Sequence, residues 1–315
     1  MQSDKGQSDK REFLAFGLGA GLGLSFAGLM TSPALAQGAT AAAPPPGRKA
    51  VPRRKATTTV LFKAPQEKFI NGVATSPQGI WICEQKETGG PNSNYKYKDG
   101  RPLEPASDLR ESAWLMDEKG NVKKTVITEG RNTSGFTYGN NSLWMGCNTA
   151  GHNGVVQTSL NSKTLSHRQV PFGPKEDGGG IHGLDWHNGK LWIAALRLRA
   201  AVKIDPITWN VEMMLPFPAG FDRFHGCAYD ASSDTMLVVT GNNSTGYANG
   251  TPGIARLDAK TGNLVEIIDF APNTCDPHGL TFHQGKLISC DAGLHPGWPL
   301  WDSPYSGAIF EIHIA

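Results

Sequence analysis

Three histidines stand directly before a glycine in this sequence, in the pairs His182-Gly183, His225-Gly226 and His278-Gly279, and each pair opens an apolar run. Neutral imidazole is the commonest side-chain ligand of protein-bound metals, and it takes up and returns protons near neutral pH. Three imidazoles around one open position hold a catalytic divalent ion, so His182, His225 and His278 are the expected ligands of zinc, iron, manganese, copper or calcium. Such an ion polarises a substrate oxygen or activates a water. The alternative is structural: each histidine caps a loop by hydrogen-bonding backbone groups, as buried polar side chains must. Two further runs begin with Asn71-Gly72 and Ser134-Gly135, so the repeated pattern does not itself demand imidazole.

Each pair leads into a hairpin. In residues 181–193 it is followed by alternating apolar positions, the turn Asn188-Gly189 and a second apolar run, Leu191-Trp192-Ile193, the signature of two antiparallel strands joined by a tight turn. The five starts, at 71, 134, 182, 225 and 278, are 63, 48, 43 and 53 residues apart, a period that belongs to propellers or arrays. Two more strand-like segments follow each hairpin, such as 201–205 and 211–215, then 253–257 and 264–268. Four strands per repeat make a blade. The fifth repeat stops after a third strand at 307–314, and residues 57–62 supply the missing one. Pairing 57–62 with 309–314 closes a ring and removes open sheet edges. The expected fold is all-β: a five-bladed propeller of four-stranded blades over residues 57–315.

On that scaffold the start of strand one and the end of strand two emerge on the same face. The face collects Asn71, Ser134 and the three histidines from the starts, and Glu84, Asn148, Arg197, Asn242 and Asp291 from the ends. Glu84 and Asp291 each follow a cysteine and can serve as base and acid, with Arg197 as a third catalytic candidate. They can equally form salt bridges to Arg197, Lys86 or Arg223, or become further metal ligands. Asn71, Ser134, Asn148 and Asn242 are expected to bind substrate, with Tyr95, Trp298 and Trp301 from the long segments 85–112 and 292–306. Trp81, Trp144 and Trp192 match one another within second strands and read as core. His187 and His283 match in the hairpin turn and read as solvated. The five cysteines are an odd number; Cys275 can bond Cys290 or Cys227, serve as a thiolate ligand, or stay inert like the others.

Residues 1–36 combine Lys10-Arg11, an apolar Gly/Leu/Ala run and Ala34-Leu35-Ala36 before Gln37, the plan of a cleaved export signal. Lys10-Arg11-Glu12-Phe13-Leu14 resembles a twin-arginine signal with its first arginine replaced, an ordinary secretory signal being the alternative; either sends the chain to the periplasm or outside the cell. Residues 37–56, rich in alanine and proline and closing on basic residues, read as a disordered linker. A net charge of +2 without another dense basic cluster excludes nucleic acid as a partner.

The hairpins at 71–82, 134–145 and 182–193, with the turns at 205–208 and 258–262, resemble the repeats of the streptogramin lyase, SMP-30/gluconolactonase and NHL group of β-propellers. Within that group, His182, His225 and His278 are similar in placement to the three metal-binding histidines of the peptidyl-hydroxyglycine lyase propeller, which implies a metal-assisted lyase or hydrolase. That family has six repeats where this chain has five, so ligand geometry and substrate do not carry over. The expected protein is an exported, monomeric, metal-dependent lyase or hydrolase acting on a small molecule in the central funnel, without stable membrane insertion after cleavage. The alternative is a non-catalytic propeller binding a small molecule, glycan or protein. A third possibility is glutaminyl cyclotransferase-like chemistry, with Glu84 near Phe69-Ile70-Asn71-Gly72 as its lead feature.

Overall fold

The computed structural model describes residues 50–65, 70–85, 97–98, 101–102, 110–148, 153–172, 180–217, 224–241, 252–271, 274–293 and 304–315. Among the described residues there are strands and no helix. After β1 (Arg53–Lys63), the first repeat contains β2 (Ile70–Ser76), β3 (Gly79–Glu84), a short hairpin of β4 (Tyr97–Lys98) and β5 (Arg101–Pro102), then β6 (Glu111–Met116) and β7 (Val122–Thr128). The second holds β8 (Thr133–Gly139), β9 (Ser142–Cys147), β10 (Gly154–Ser159) and β11 (Thr164–Arg168). The third holds β12 (Ile181–His187), β13 (Lys190–Ala195), β14 (Ala200–Ile204) and β15 (Val211–Pro216). The fourth holds β16 (Cys227–Asp230), β17 (Thr235–Gly241), β18 (Pro252–Asp258) and β19 (Leu264–Phe270), and the fifth β20 (Leu280–His283), β21 (Lys286–Cys290) and β22 (Ala308–Ile314).

Local chemistry sets the turns. Asn188 and Gly189 have φ of 47° and 71°, the left-handed pair that a two-residue hairpin turn needs to follow the strand twist. Asn140-Asn141 and Gln284-Gly285 repeat it. Between third and fourth strands an aspartate does the work: Asp205 Oδ1 accepts the amides of Ile207 and Thr208 at 2.8 Å each, and Asp258 Oδ1 accepts those of Lys260 at 3.0 Å and Thr261 at 2.7 Å. A side chain that bonds its own backbone two residues on fixes a turn without tertiary help.

The first three repeats are separate antiparallel sheets of four strands, in the orders β2-β3-β6-β7, β8-β9-β10-β11 and β12-β13-β14-β15. The last two are joined into one eight-stranded sheet, β16-β17-β18-β19-β1-β22-β21-β20. Strand β1 makes the join. Thr57 to Val60 pair antiparallel with His313 to Phe310, as expected, and a bulge follows at Leu61 before Phe62 meets Ile309. The strand starts earlier than expected, inside the segment read as linker: Arg53 to Ala56 run parallel to Ile267 to Phe270 of β19. Two basic residues of that segment find partners there. Arg53 bonds Asp269, with Nε to Oδ2 at 2.9 Å, and Arg54 donates to the carbonyls of Ala315 at 2.8 Å and Ile314 at 2.9 Å.

Five buried clusters lie between successive repeats. Trp81 and Leu115 meet Phe136 and Met145; Trp144 and Val155 meet Leu184 and Leu191; Trp192 and Leu215 meet Cys227 and Val238. Leu237 and Ile254 then meet Leu280 and Phe310, and Ile288 and Ile309 return to Val73 and Ile82 of the first repeat. The three matching tryptophans are core, at 1 to 3% exposure, each worth about 1.5–3 kcal/mol in burial. The first strands touch in the order β2, β8, β12, β16, β20 and back to β2. Their approach leaves no room for a side chain at Gly183 and Gly226, among other glycines. A Cβ on Gly226 would lie 2.2 Å from the His278 carbonyl oxygen, and one on Gly183 would lie 2.4 Å from that of His225.

Candidate functional site

A β-bulge presents each of the first three start residues. Ile70 pairs with Glu84 and Gly72 with Cys83, which leaves Asn71 as the extra residue; Ser134 and His182 are skipped in the same way in β8 and β12. A bulge bends the strand and re-aims the side chain at its apex. His225 and His278 stand two residues before β16 and β20, where their amides donate to the carbonyls of Val239 and Cys290, each at 3.0 Å.

These backbone positions bring the three histidines into a row. The His182 and His225 rings meet edge to face at 4.8 Å between centroids, and His225 and His278 repeat the 4.8 Å spacing at 66°. His278 is fully buried, while His182 and His225 are partly exposed. Its Nδ1 lies 3.3 Å from the carbonyl oxygen of Asp276 and 3.6 Å from that residue's carboxylate. A carbonyl only accepts, so Nδ1 is the donor in that contact. The Asp276 amide in turn donates to Asp291 Oδ2 at 2.8 Å, and Asp291 Oδ1 accepts the Gly293 amide at 2.7 Å.

The first two repeats build a different sector. Asn71 Nδ2 donates to Gln85 Oε1 at 2.9 Å, and Gln85 Nε2 reaches both Asn132 Oδ1 and Ser134 Oγ. Gln85, Asn132 and Asp276 were not singled out from the sequence; the signals present were only their adjacency to Glu84, Ser134 and His278. Asn148 donates its side-chain amide to the Ile181 carbonyl, bridging the second and third repeats.

The expected acids are buried but engaged with backbone. Glu84, 1% exposed, accepts the Ser112 amide through Oε1 at 2.9 Å, and Asp291 braces the Asp276 segment as above. Arg197 lies exposed in the turn between β13 and β14, beside Gly180. Asn242, Tyr95, Trp298, Trp301, Lys86 and Arg223 lie outside the described residues, as do most of the two long segments and residues 1–36. His187 is not simply solvated: its ring stacks on Tyr229 at 4.2 Å, because the neighbouring repeat places an aromatic beside the turn.

As a metal set the three imidazoles have the right chemistry, but their rings stack edge to face. Among the described residues no three His, Cys, Asp or Glu side chains are arranged to hold an ion. All five cysteines are buried free thiols. Burial pushes the Cys275, Cys147 and Cys290 thiols up to about 12, so they stay protonated and inert at neutral pH.

Repeated four-stranded sheets packed face to face, with their first strands in contact around a ring, define a β-propeller. No family model matches the sequence, and no curated protein is similar to it. Among solved structures the chain is similar in fold to the glutaminyl cyclase of Myxococcus xanthus, with a TM-score of 0.53 at 12% identity over 84% of this chain and 98% of that one. A protein of unknown function from Bacteroides caccae aligns at a TM-score of 0.44, 13% identity, 78% of this chain and 86% of that one. A chain of the nidogen/laminin complex aligns at 0.40, 13% identity, 59% and 68%. The likeness is to propellers generally, without singling out the streptogramin lyase and SMP-30 group.

Proposed function

We propose that the repeats are the blades of a five-bladed propeller, and that the chain is an exported enzyme of the lyase or hydrolase class acting on a small molecule where the five strand starts meet. Five cores between successive repeats and five contacts between first strands support the blade count. Export rests on the residue pattern of 1–36 alone.

One observation carries the enzymatic reading: imidazoles from three successive repeats form a continuous row, although Asn71 and Ser134 fill the same position in the other two. Imidazole takes up and returns protons near neutral pH. That suits general acid–base catalysis at an oxygen or nitrogen of the bound molecule. The Asn71 Oδ1 atom is shielded from solvent and takes no hydrogen bond among the described residues, leaving an acceptor for a ligand N–H or O–H. Glu84 and Asp291 hold the mouth by binding backbone amides. A divalent ion would need the three rings to turn out of their edge-to-face contacts, with the same three residues as its ligands.

A second reading is favoured by Glu84, a buried carboxylate next to the Asn71–Gln85 pair in a fold shared with a glutaminyl cyclase. In that reading the α-amine of an N-terminal glutamine would attack its own side-chain amide carbon, ammonia would leave, and Glu84 would move the proton. The experiment takes protein purified without a histidine tag, measures bound metal by mass spectrometry, and assays esters, lactones and glutaminyl peptides in the parent, His225→Ala and Glu84→Gln. Loss of ester or lactone turnover in His225→Ala alone supports the row. Loss of glutaminyl cyclisation in Glu84→Gln alone supports the second reading. Less than about a tenth of an equivalent of metal, unrestored by added ions, removes the metal.

A further inference from the structure

The backbone just before His278 is fastened from two sides. Cys275, fully buried, donates its amide to Thr58 Oγ1 of β1 at 3.1 Å, across 217 residues of sequence. The Ala271 amide donates to the Ala56 carbonyl of the same strand at 2.9 Å. From the other side Asp291, just past β21, accepts the Asp276 amide through Oδ2 at 2.8 Å. Two successive amides are thus held by side chains from two different strands of the fifth repeat's sheet.

The fastening reaches the imidazole. The Asp276 carbonyl oxygen lies 3.3 Å from His278 Nδ1, and the ring meets that of His225 at 4.8 Å. Shifting the Asp276 backbone shifts the acceptor of Nδ1, and a misplacement of about 1 Å can cost a catalytic site about a hundredfold in rate. Ring closure does not itself require a hydroxyl at position 58, since valine has nearly the same shape and suits a strand as well. The neighbouring threonine shows the contrast. Side chains alternate along a strand, and Thr59 turns its Oγ1 to exposed His313 at 2.9 Å, while both threonines keep their backbone pairing with β22, Thr58 with Ile312 and Thr59 with Glu311.

We propose that Thr58 is a positioning residue of the histidine row, through which the ring-closing strand fixes the orientation of His278. The inference rests on the reading of the row as catalytic, and its test also observes the ring directly. The experiment records the histidine ring NMR signals of the intact chain in the parent, Thr58→Val, Thr58→Ser and Thr59→Val, with His278 identified by its loss in His278→Gln. Turnover of esters and lactones is measured on the same samples. Thr58→Val is expected to shift the His278 signals further than Thr59→Val does, and to lower kcat by about threefold or more with KM changed less than about twofold. Its melting temperature should stay close to that of Thr59→Val. Thr58→Ser, which keeps the hydroxyl, is expected to restore both the signals and kcat. Should Thr58→Val not fold, Thr58→Ala is read in the same way. His278 signals that move equally in Thr58→Val and Thr59→Val, a shift not reversed by serine, or an unchanged kcat overturns the proposal and leaves the enzymatic reading standing. A parent without any turnover removes the enzymatic reading, and the NMR comparison then decides by itself whether β1 orients His278.

Discussion

His182 and His225 are 43 residues apart in the chain, yet their rings meet edge to face at 4.8 Å. The contact follows from the backbones beneath them: Gly183 packs against the His225 carbonyl so closely that no side chain fits between. The separation of the two backbones, and with it the distance between the rings, is therefore set by glycine.

If imidazole is there for chemistry and not for stability, replacing it with the residue used in the first repeat should be tolerated. His225→Asn is expected to change unfolding free energy by less than about 1 kcal/mol while losing turnover. Denaturant unfolding measured beside an activity assay checks it; a loss several times larger would make the ring a structural cap.

Gly226→Ala should be far more damaging than its single methyl suggests. The new Cβ would sit 2.2 Å from a backbone oxygen that also accepts the Gly226 amide at 2.6 Å, so neither side can yield cheaply. A loss of about 2–4 kcal/mol is expected, read as a fall in melting temperature.

Asp185 gives the chain a pH dependence with a definite sign. Burial raises its carboxyl from 3.8 to about 6, outweighing the Tyr229 amide that donates to Oδ2 at 2.8 Å. Between those values the folded chain holds a proton that the unfolded chain has shed, so stability falls as pH rises through the window. Asp185→Asn should therefore be more stable than the parent by about 1–2 kcal/mol above pH 6, with the gap closing towards pH 4. Melting temperatures across that range measure it.

Strand β1 supports two neighbours at once, so truncation should act in two steps. A chain starting at residue 57 loses the parallel bonds to β19 and the Arg54 contacts with Ala315 and Ile314, and its melting temperature should fall by a few degrees. A chain starting at 64 loses the pairing with β22 as well and leaves two open edges, so aggregation without a cooperative transition is expected. Equal melting curves for the two truncations would refute the closure.

The repeat was legible in the sequence because its signals are local. Asn188-Gly189 makes its own turn, Asp205 and Asp258 bind their own backbones, and alternating apolar residues declare the strands, so neither the five hairpins nor the pairing of 57–60 with the last strand needed the fold to be seen. The position of the histidines before glycine was legible for the same reason. Tertiary structure decided what those residues meet. Nothing near Gln85 in sequence announces Asn132 and Ser134, nothing beside Arg53 announces Asp269, and Gln284 meets Glu118 only because the first and fifth repeats are brought side by side. Strand formation depends on each residue's own preference and period, whereas a site depends on which distant strands share a core. That pairing is fixed by burial summed over whole sheets, which no short stretch of sequence contains.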